Sequence, residues 1–248
     1  MWSCFSKMIN VKGRIGYPNI VGICAIILIV LEMALFPIIH IGSWKAASLA
    51  CYTAVILTAT FGLVSLLGDR KGDLIRAGLL LTLVADYFLV IEYDSYLEGV
   101  VAFTGVQLCY FVYTLVKEQR NKVRNLNALI RAAFIGVLLI ACFIILGDEA
   151  DALSIVSVIY YGNLVANVVF AFMLGSKERL FAIGLTLFAM CDLCIGLDVL
   201  FESYLGSPLG IFYGDYFNLP WVFYQPSQIL IALHLGRKIY AHKDGCVA

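Results

Sequence analysis

The chain has 248 residues, of which 62% are hydrophobic and 14% are charged, and its formal net charge is zero. Soluble domains are closer to half apolar and a quarter charged. A water-soluble fold cannot hide this much apolar surface, so the composition indicates an integral membrane protein and excludes a soluble domain. The neutral charge balance also argues against a nucleic acid as a partner.

Turns and charged residues divide the apolar sequence into eight candidate spans, which predict an all-α, polytopic membrane bundle of about eight transmembrane helices. The spans are Ile20–Ile39, Trp44–Leu67, Asp73–Ile91, Tyr96–Val116, Leu129–Leu146, Ala152–Leu174, Arg179–Leu200 and Leu219–Gly236. Each holds about 18–24 residues, the length that crosses ~30 Å of hydrocarbon as a helix. Because the connections are short, we expect one domain, with an N-terminal segment at 1–19, the bundle at 20–236 and a tail at 237–248.

The basic residues fall almost entirely on one side of these spans. With the N-terminus in the cytoplasm, 16 of the 17 lysines and arginines lie on cytoplasmic segments or span ends, and only Lys45 lies opposite. This count places Arg131 at the cytoplasmic start of the fifth span. Acidic residues dominate the other side. The positive-inside rule therefore predicts eight spans with both termini in the cytoplasm.

The cysteines and histidines predict neither disulfides nor a metal centre. Most cysteines lie inside apolar runs, where they behave as small apolar side chains. Cys191 and Cys194 form a CxxC pair, but no second pair and no nearby histidine completes a zinc site. The histidines are scattered near span ends and are predicted to lie at the membrane interface: His40, His234 and His242. The sequence calls for no metal and no organic cofactor.

Two aspartates lie deep inside spans three and seven in matching contexts. Asp86 and Asp192 each follow the start of their span by 13 residues, so they lie at nearly equal depth in two parallel helices. Aligning them pairs Gly78 with Gly184, Leu79 with Leu185 and Leu81 with Leu187. A charge in the membrane costs ~2.5–3.5 kcal/mol or more. We therefore expect the two carboxyl groups to meet across a helix interface and act together; the alternative is that they hydrogen-bond between helices as packing contacts.

Polar and aromatic side chains on the same faces complete the candidate site. Thr82 and Phe188 each lie four residues before an aspartate, one helical turn away. Further candidates come from spans four, six and eight: Phe103, Gln107, Tyr110, Tyr160, Tyr161, Asn163, Asn167, Tyr224 and Gln228. For Tyr160 and Tyr161, an aromatic belt at the membrane surface is the alternative. Glu32 is a third intramembrane acid, expected to pair with a backbone group or Lys45.

Four segments share motifs with one membrane protein family. The third-span motif G-L-x-x-S-x-x-G-D is matched at Gly78, Leu79, Thr82, Ala85 and Asp86, and the fourth-span motif F-x-x-A-H-x-x-Y at Phe103, Val106, Gln107 and Tyr110. The seventh-span motif G-x-x-x-F-x-x-S-D is matched at Gly184, Phe188, Cys191 and Asp192, and the last motif Y-x-x-x-Q at Tyr224 and Gln228. In order and topology the chain resembles the lysoplasmalogenase-like (YhhN-like) eight-span proteins. Gln107 replaces a frequent histidine and Cys191 a serine, so a role that needs imidazole at Gln107 is absent.

The resemblance implies hydrolysis of the vinyl ether bond of lysoplasmalogens, with Asp86 and Asp192 as the catalytic pair and the endoplasmic reticulum as the location of an animal member. Two nearby carboxyl groups fit this chemistry, because one protonates the β carbon while the other stabilises the resulting oxocarbenium ion or activates water. Which aspartate is the acid is left open. Gln107, Tyr110, Tyr224 and Gln228 are placed to orient water or the glycerol hydroxyl. The rival readings are a proton-coupled transporter and a catalytically silent lipid-binding protein.

Overall fold

The computed structural model describes residues 17–41, 43–65, 72–92, 95–205, 213–214 and 217–244. These residues form a bundle of α-helices joined by short turns. The helices are α1 Tyr17–Ile41, α2 Trp44–Val64, α3 Asp73–Asp86, α4 Tyr96–Lys117, α5 Asn121–Leu146, α6 Ala152–Met173, α7 Arg179–Leu205 and α8 Leu219–Asp244. Short 3-10 turns span Gly147–Glu149 and Ser176–Glu178, and two-residue strands β1 (Tyr213–Gly214) and β2 (Phe217–Asn218) pair antiparallel before α8.

The predicted all-α membrane bundle is confirmed. Seven helices in the described ranges are long and apolar enough to cross a membrane: α1, α2, α3 together with the π-helical segment Tyr87–Glu92 that continues it, and α4 to α7. The eighth helix, α8, has 26 residues and stands where the eighth span was predicted. The sidedness of the termini and the division at 1–19, 20–236 and 237–248 stay predictions, and residues 1–16 lie outside the described part.

Helix α8 lies at the centre of the bundle. It packs against α7 most extensively and also against α1, α2 and α3, while α3 packs on α4 and α4 on α6. Helix α5 packs on α6 at the edge and exposes most of its apolar side chains, as a lipid-facing helix does. The aspartate helices α3 and α7 both contact α8, so α8 connects the two halves of the candidate site.

Glycines allow the closest helix contacts, and two of them are the pair matched around the aspartates. A Cβ at Gly184 would lie 2.8 Å from Cγ1 of Ile231 and 3.1 Å from the backbone oxygen of Ser227 in α8. A Cβ at Gly78 would lie 2.4 Å from Cε1 of the Tyr110 ring in α4. Both glycines therefore let a neighbouring helix approach, as small residues do in membrane bundles.

The backbone changes its hydrogen-bonding pattern next to Asp86. Helix α3 ends at Asp86, and the chain continues as a π-helical segment over Tyr87–Glu92. A π-helical turn is wider than an α-helical turn and is frequently found at functional sites. Asp86 therefore lies at an irregular point of its helix, whereas Asp192 lies within the regular helix α7.

Helix α5 begins at Asn121, before the predicted span start, because residues 121–128 contain no glycine or proline to end it. Arg131 therefore lies within the helix, where it is only 3% exposed and packs between helices. The side of the membrane on which it lies stays a prediction. Its guanidinium donates to the side-chain oxygens of Asn163 at 3.1 Å and Asn167 at 2.9 Å, and it stacks over the Phe111 ring at 4.1 Å.

His234 corrects a sequence prediction, since it is 1% exposed and does not lie at the interface. Its Nε2 is 2.8 Å from Oε2 of Glu178, and the Tyr113 hydroxyl donates to the same carboxylate oxygen at 2.6 Å. His40 is also buried, and its Nδ1 accepts from the backbone N–H of Asn218 at 3.3 Å. Both histidines are covered because α8 packs against its neighbours along most of its length.

Candidate active site

The first half of the candidate site is built around Asp86. Its side chain is 3% exposed at the end of α3. The Tyr224 hydroxyl of α8 donates a hydrogen bond to Oδ2 of Asp86 at 2.5 Å. A hydrogen bond to a carboxylate in a low-dielectric interior is strong, so Tyr224 fixes the orientation of this carboxyl group.

The second half is built around Asp192, which is half-buried in α7. The Tyr160 hydroxyl of α6 donates a hydrogen bond to Oδ2 of Asp192. Tyr160 therefore points into the bundle, and the aromatic-belt alternative does not hold for it. Cys191, the residue before Asp192, carries a buried thiol.

Aromatic rings fill the space between the two halves. The Phe103 ring centroid is 5.7 Å from that of Tyr160, 5.5 Å from that of Phe188 and 6.4 Å from that of Tyr224. Phe188 is also 5.3 Å from Tyr224. The four rings come from four helices and form one apolar wall that adjoins both aspartates. Such rings present negative faces that attract a cation.

The two carboxyl groups face a common interior but do not bond to each other. Asp86 and Asp192 interact electrostatically, yet each accepts its side-chain hydrogen bond from a tyrosine. No hydrogen bond joins the two carboxyl groups directly in the described part of the chain, and their predicted meeting across a helix interface stays a prediction. The reason is topological: α3 and α7 are not among the extensively packed helix pairs, and α8 contacts both.

The remaining candidates lie near this centre, and all of them except the half-buried Tyr161 are buried. Gln107 accepts from Nδ2 of Asn167 at 2.9 Å, and its own Nε2 has no partner among the described residues. Tyr110 packs its ring against Gly78, and its hydroxyl likewise has no hydrogen-bond partner in the described part. These unpaired groups are free to bind a polar ligand.

Three further candidates make no hydrogen bond to either aspartate. The Thr82 hydroxyl donates to the Gly78 backbone oxygen at 3.0 Å, within its own helix. Gln228 donates from Nε2 to the Ser227 hydroxyl at 3.4 Å and leaves its Oε1 unpaired among the described residues. Tyr161 is half-buried beside Tyr160 and interacts electrostatically with Asp192.

Two polar groups near the site were missed or misassigned from the sequence. Glu32 was expected to pair with a backbone group or Lys45, but its carboxylate accepts from Nε2 of Gln225 at 2.7 Å. Gln225 directly follows the candidate residue Tyr224, and this adjacency was the sequence feature that could have identified Gln225 as a polar partner near the site. Arg131 entered the sequence argument only as one of the basic residues on the cytoplasmic side, and its contacts with Asn163 and Asn167 were missed.

In the described part of the chain, no group of three or more histidine, cysteine or acidic residues could hold a metal ion. Cys191 and Cys194 are both buried and carry free thiols.

Fold and site together define a polytopic helical membrane protein with a paired-carboxyl centre in its interior. The model of the YhhN family matches residues 43–235. The chain belongs to this family, the lysoplasmalogenase-like family, so the resemblance inferred from the motifs is confirmed. No curated protein matches the chain, and no solved structure does.

Proposed function

We propose that the protein hydrolyses the vinyl ether bond of lysoplasmalogens, releasing a fatty aldehyde and glycerophosphocholine or glycerophosphoethanolamine. One observation carries the proposal: Asp86 and Asp192, each oriented by a tyrosine hydroxyl, face one aromatic-walled interior. Membership of the lysoplasmalogenase-like family supports it. We further propose a single-tailed lysophospholipid as the ligand and the endoplasmic reticulum membrane as the location.

The first chemical step is protonation of carbon. The protonated aspartate gives its proton to the β carbon of the vinyl ether, and the π electrons of the double bond form the new C–H bond. An oxocarbenium ion remains across the α carbon and the ether oxygen. The ionised aspartate and the faces of Phe103 and Phe188 stabilise this cation, as a carboxylate does in glycoside hydrolysis.

Water completes the reaction. The water oxygen adds to the α carbon, and one water proton passes to the ionised aspartate. The product of this addition is a hemiacetal. The hemiacetal hydroxyl then returns a proton to the first aspartate while the bond from the α carbon to the glycerol oxygen breaks. The glycerol oxygen takes the proton of the second aspartate, so the aldehyde is released, one water is consumed and both carboxyl groups recover their starting states.

The other candidates are assigned to substrate binding. Gln107 and Tyr110 carry unpaired polar atoms that would orient water or the glycerol hydroxyl. Tyr160 and Tyr224 hold the two carboxyl groups. The rest of the proposed binding set surrounds them: Thr82, Tyr161, Phe188 and Gln228.

Aldehyde release by purified protein in detergent tests the proposal. We expect Asp86→Asn and Asp192→Asn each to lower kcat by about 10²–10⁴-fold, the usual loss when an acid–base group is removed. Asp148→Asn is the control, because Asp148 is exposed in the turn between α5 and α6. Unchanged helical content and elution volume would show that the variants fold. Aldehyde release that neither substitution lowers would overturn the mechanism.

The rival functions give different results in the same preparations. A proton-coupled transporter would produce no aldehyde in detergent but would move its substrate across the membrane of sealed vesicles. A silent family member would bind the lysolipid with neither turnover nor flux. Either result would refute the hydrolase.

A further inference from the structure

A line of hydrogen bonds runs from Arg131 in α5 through α6 to the candidate site in α4. Nη1 of Arg131 donates to Oδ1 of Asn167 at 2.9 Å. Nδ2 of Asn167 in turn donates to the backbone oxygen of Gln107 at 3.0 Å and to its Oε1 at 2.9 Å. None of the three residues is more than 3% exposed, so this amide relay, Arg131–Asn167–Gln107, lies in the interior of the bundle.

Arg131 fixes the direction of every hydrogen bond in the amide relay. A guanidinium group carries only donors, so the Asn167 amide has to turn its oxygen toward Arg131. The NH₂ group of Asn167 then faces Gln107, which can receive it only through an oxygen. The NH₂ group of Gln107 is left at the far end, where its Nε2 has no hydrogen-bond partner among the described residues. Gln107 therefore offers N–H donors at this end, while its oxygen is engaged by Asn167.

The unpaired donor lies close to the aromatic wall of the site. Gln107 follows Phe103 by four residues in α4, which is about 6 Å along a helix. The Phe103 ring contacts those of Tyr160 and Phe188. A buried N–H group without an acceptor is costly, and almost all such groups in folded proteins are satisfied. Because Gln107 is fully buried, the oxygen that satisfies its Nε2 has to come from inside the bundle.

The family motif has a histidine at the position of Gln107, and the amide relay explains how glutamine can replace it. A neutral imidazole has one ring nitrogen that accepts and one that donates, so it fits between Asn167 and an acceptor as the amide does. An amide does not exchange protons near neutral pH, which confines Gln107 to hydrogen bonding.

We propose that Arg131 and Asn167 are positioning residues, which hold the N–H end of Gln107 toward an acceptor oxygen on the glycerophosphate part of the bound lysolipid. This inference rests on the proposed function, in that the ligand is taken to be a lysolipid. The vinyl ether is bonded to the glycerol, so these oxygens lie within a few bonds of the reacting carbon. Gln107 contacts the lipid, and the other two residues act through it.

Reversal of the amide relay tests the proposal. A saturated 1-O-alkyl lysophosphocholine lacks the vinyl bond, so its affinity for the protein is measured by calorimetry without turnover. Asn167→Asp keeps oxygens for Arg131 but has no N–H for Gln107. The Gln107 amide then turns its NH₂ group toward the new carboxylate and its oxygen toward the lipid oxygen, which repels it. We expect the affinity to fall by about 5–100-fold, as when a buried hydrogen-bonding group loses its partner.

Asn163→Asp is the matched control, one turn before Asn167 on α6. Asn163 accepts from the same Nη1 of Arg131 at 3.1 Å, but its Nδ2 donates to the backbone oxygen of Ile159 at 3.0 Å and not to Gln107. The control introduces the same charge beside the same guanidinium and should bind the lipid as the wild type does. An equal loss of affinity in both variants would assign the effect to the charge and overturn the positioning role.

Substitutions at Gln107 keep the proposal testable if Asn167→Asp does not fold. Gln107→Leu should lose affinity by the same factor, and Gln107→His should bind more tightly than Gln107→Leu because it restores a donor. Adding Asn167→Asp to Gln107→Leu should cost no further affinity, since no amide is left to orient. Wild-type affinity in Gln107→Leu would overturn the inference.

The same measurements separate this inference from the hydrolase proposal. Loss of affinity in Asn167→Asp and Gln107→Leu would support the amide relay even if no aldehyde formed. Aldehyde release by the wild type, together with full affinity in both variants, would overturn the inference and leave the hydrolase standing. A 1-O-alkyl glycerol, which has no phosphate, identifies the oxygen: a loss with both lipids assigns it to the glycerol, and a loss with the lysophosphocholine alone assigns it to the phosphate.

Discussion

The two aspartates occupy matching sequence positions but different structural environments. Asp86 is deeply buried where α3 gives way to a π-helical segment, and its tyrosine partner comes from α8. Asp192 is half-buried within a regular helix, and its tyrosine partner comes from α6. The similar local sequences therefore specify where the acid and the small residue lie on the helix, while the tertiary packing decides which helix supplies the hydroxyl.

The two glycines that occupy matching positions before the aspartates, Gly78 and Gly184, also lie in different tertiary environments. Gly184 lies against the α8 backbone, whereas Gly78 lies against a single aromatic side chain, Tyr110. A backbone contact cannot be relieved by rotating a side chain, but a contact with one ring can be relieved by a smaller residue. The half of the site around Asp192 is thus constrained by helix–helix distance, and the half around Asp86 by side-chain volume.

After the aspartates themselves, the largest expected effect comes from the two tyrosines that hold the carboxyl groups. Tyr224→Phe and Tyr160→Phe should each lower kcat for aldehyde release by about 10–100-fold, since a poorly oriented catalytic group loses that much. The control is Tyr87→Phe, because Tyr87 is next to Asp86 in sequence but 41% exposed. If one of the two tyrosine variants kept full activity, the aspartate bonded to that tyrosine would not need the hydroxyl group to hold it in place for catalysis.

A second substitution should restore stability to an alanine variant of one of the two glycines but not of the other. Gly184→Ala and Gly78→Ala should each lower the free energy of unfolding by about 1–3 kcal/mol through overpacking. The measurement is the drop in the midpoint of thermal unfolding in detergent. Adding Tyr110→Leu should partly restore Gly78→Ala, because it removes the ring that the new methyl group meets. The same addition should not restore Gly184→Ala.

The matched control for this experiment is Gly196→Ala, on the same helix as Gly184. A Cβ at Gly196 would meet no atom within 4 Å. This substitution should be neutral or stabilise the helix by up to about 1 kcal/mol. Equal destabilisation at Gly184 and Gly196 would mean that the close contact between α7 and α8 does not explain the role of Gly184.

A smaller effect is expected at Arg131, which lies outside the paired-carboxyl centre. Arg131→Lys should destabilise the protein by about 1 kcal/mol, because an ammonium group lacks the planar guanidinium that stacks over Phe111 and the second nitrogen that reaches Asn127. Arg124→Lys, at an exposed position of α5, should have no measurable effect. A loss of activity in Arg131→Lys without a loss of stability would contradict a structural role for this network.

Much of the fold could be predicted from the sequence because apolar length and charge placement are local properties. The positions of the helices and the burial of Asp86 follow from them. The pairings Asp86–Tyr224 and Glu32–Gln225 could not be predicted, since they join residues 138 and 193 positions apart. The burial of Arg131 could not be predicted for a related reason, since its partners Asn163 and Asn167 lie on α6, 32 and 36 positions away.

The smallest expected effect concerns the start of α6, the helix that carries Tyr160. Asp151 caps this helix by accepting from the Ser154 backbone N–H at 2.8 Å and the Ser154 hydroxyl at 2.6 Å. These hydrogen bonds hold the pKa of Asp151 below its usual value of 3.8. A carboxyl group with a lowered folded-state pKa stabilises the fold above its unfolded-state pKa, and the contribution is lost as the pH falls through the folded-state value.

Asp151→Ala should therefore lower the thermal unfolding midpoint slightly at neutral pH, and the difference from wild type should shrink toward about pH 3. Asp151→Asn should keep most of the stability at every pH, because its amide oxygen still caps the helix without a titrating charge. If the Ala variant differed from wild type equally at both pH values, the Asp151 charge would contribute nothing to the cap. The start of α6, the helix that places Tyr160 beside Asp192, would then be stabilised by hydrogen bonds that do not need a charged Asp151.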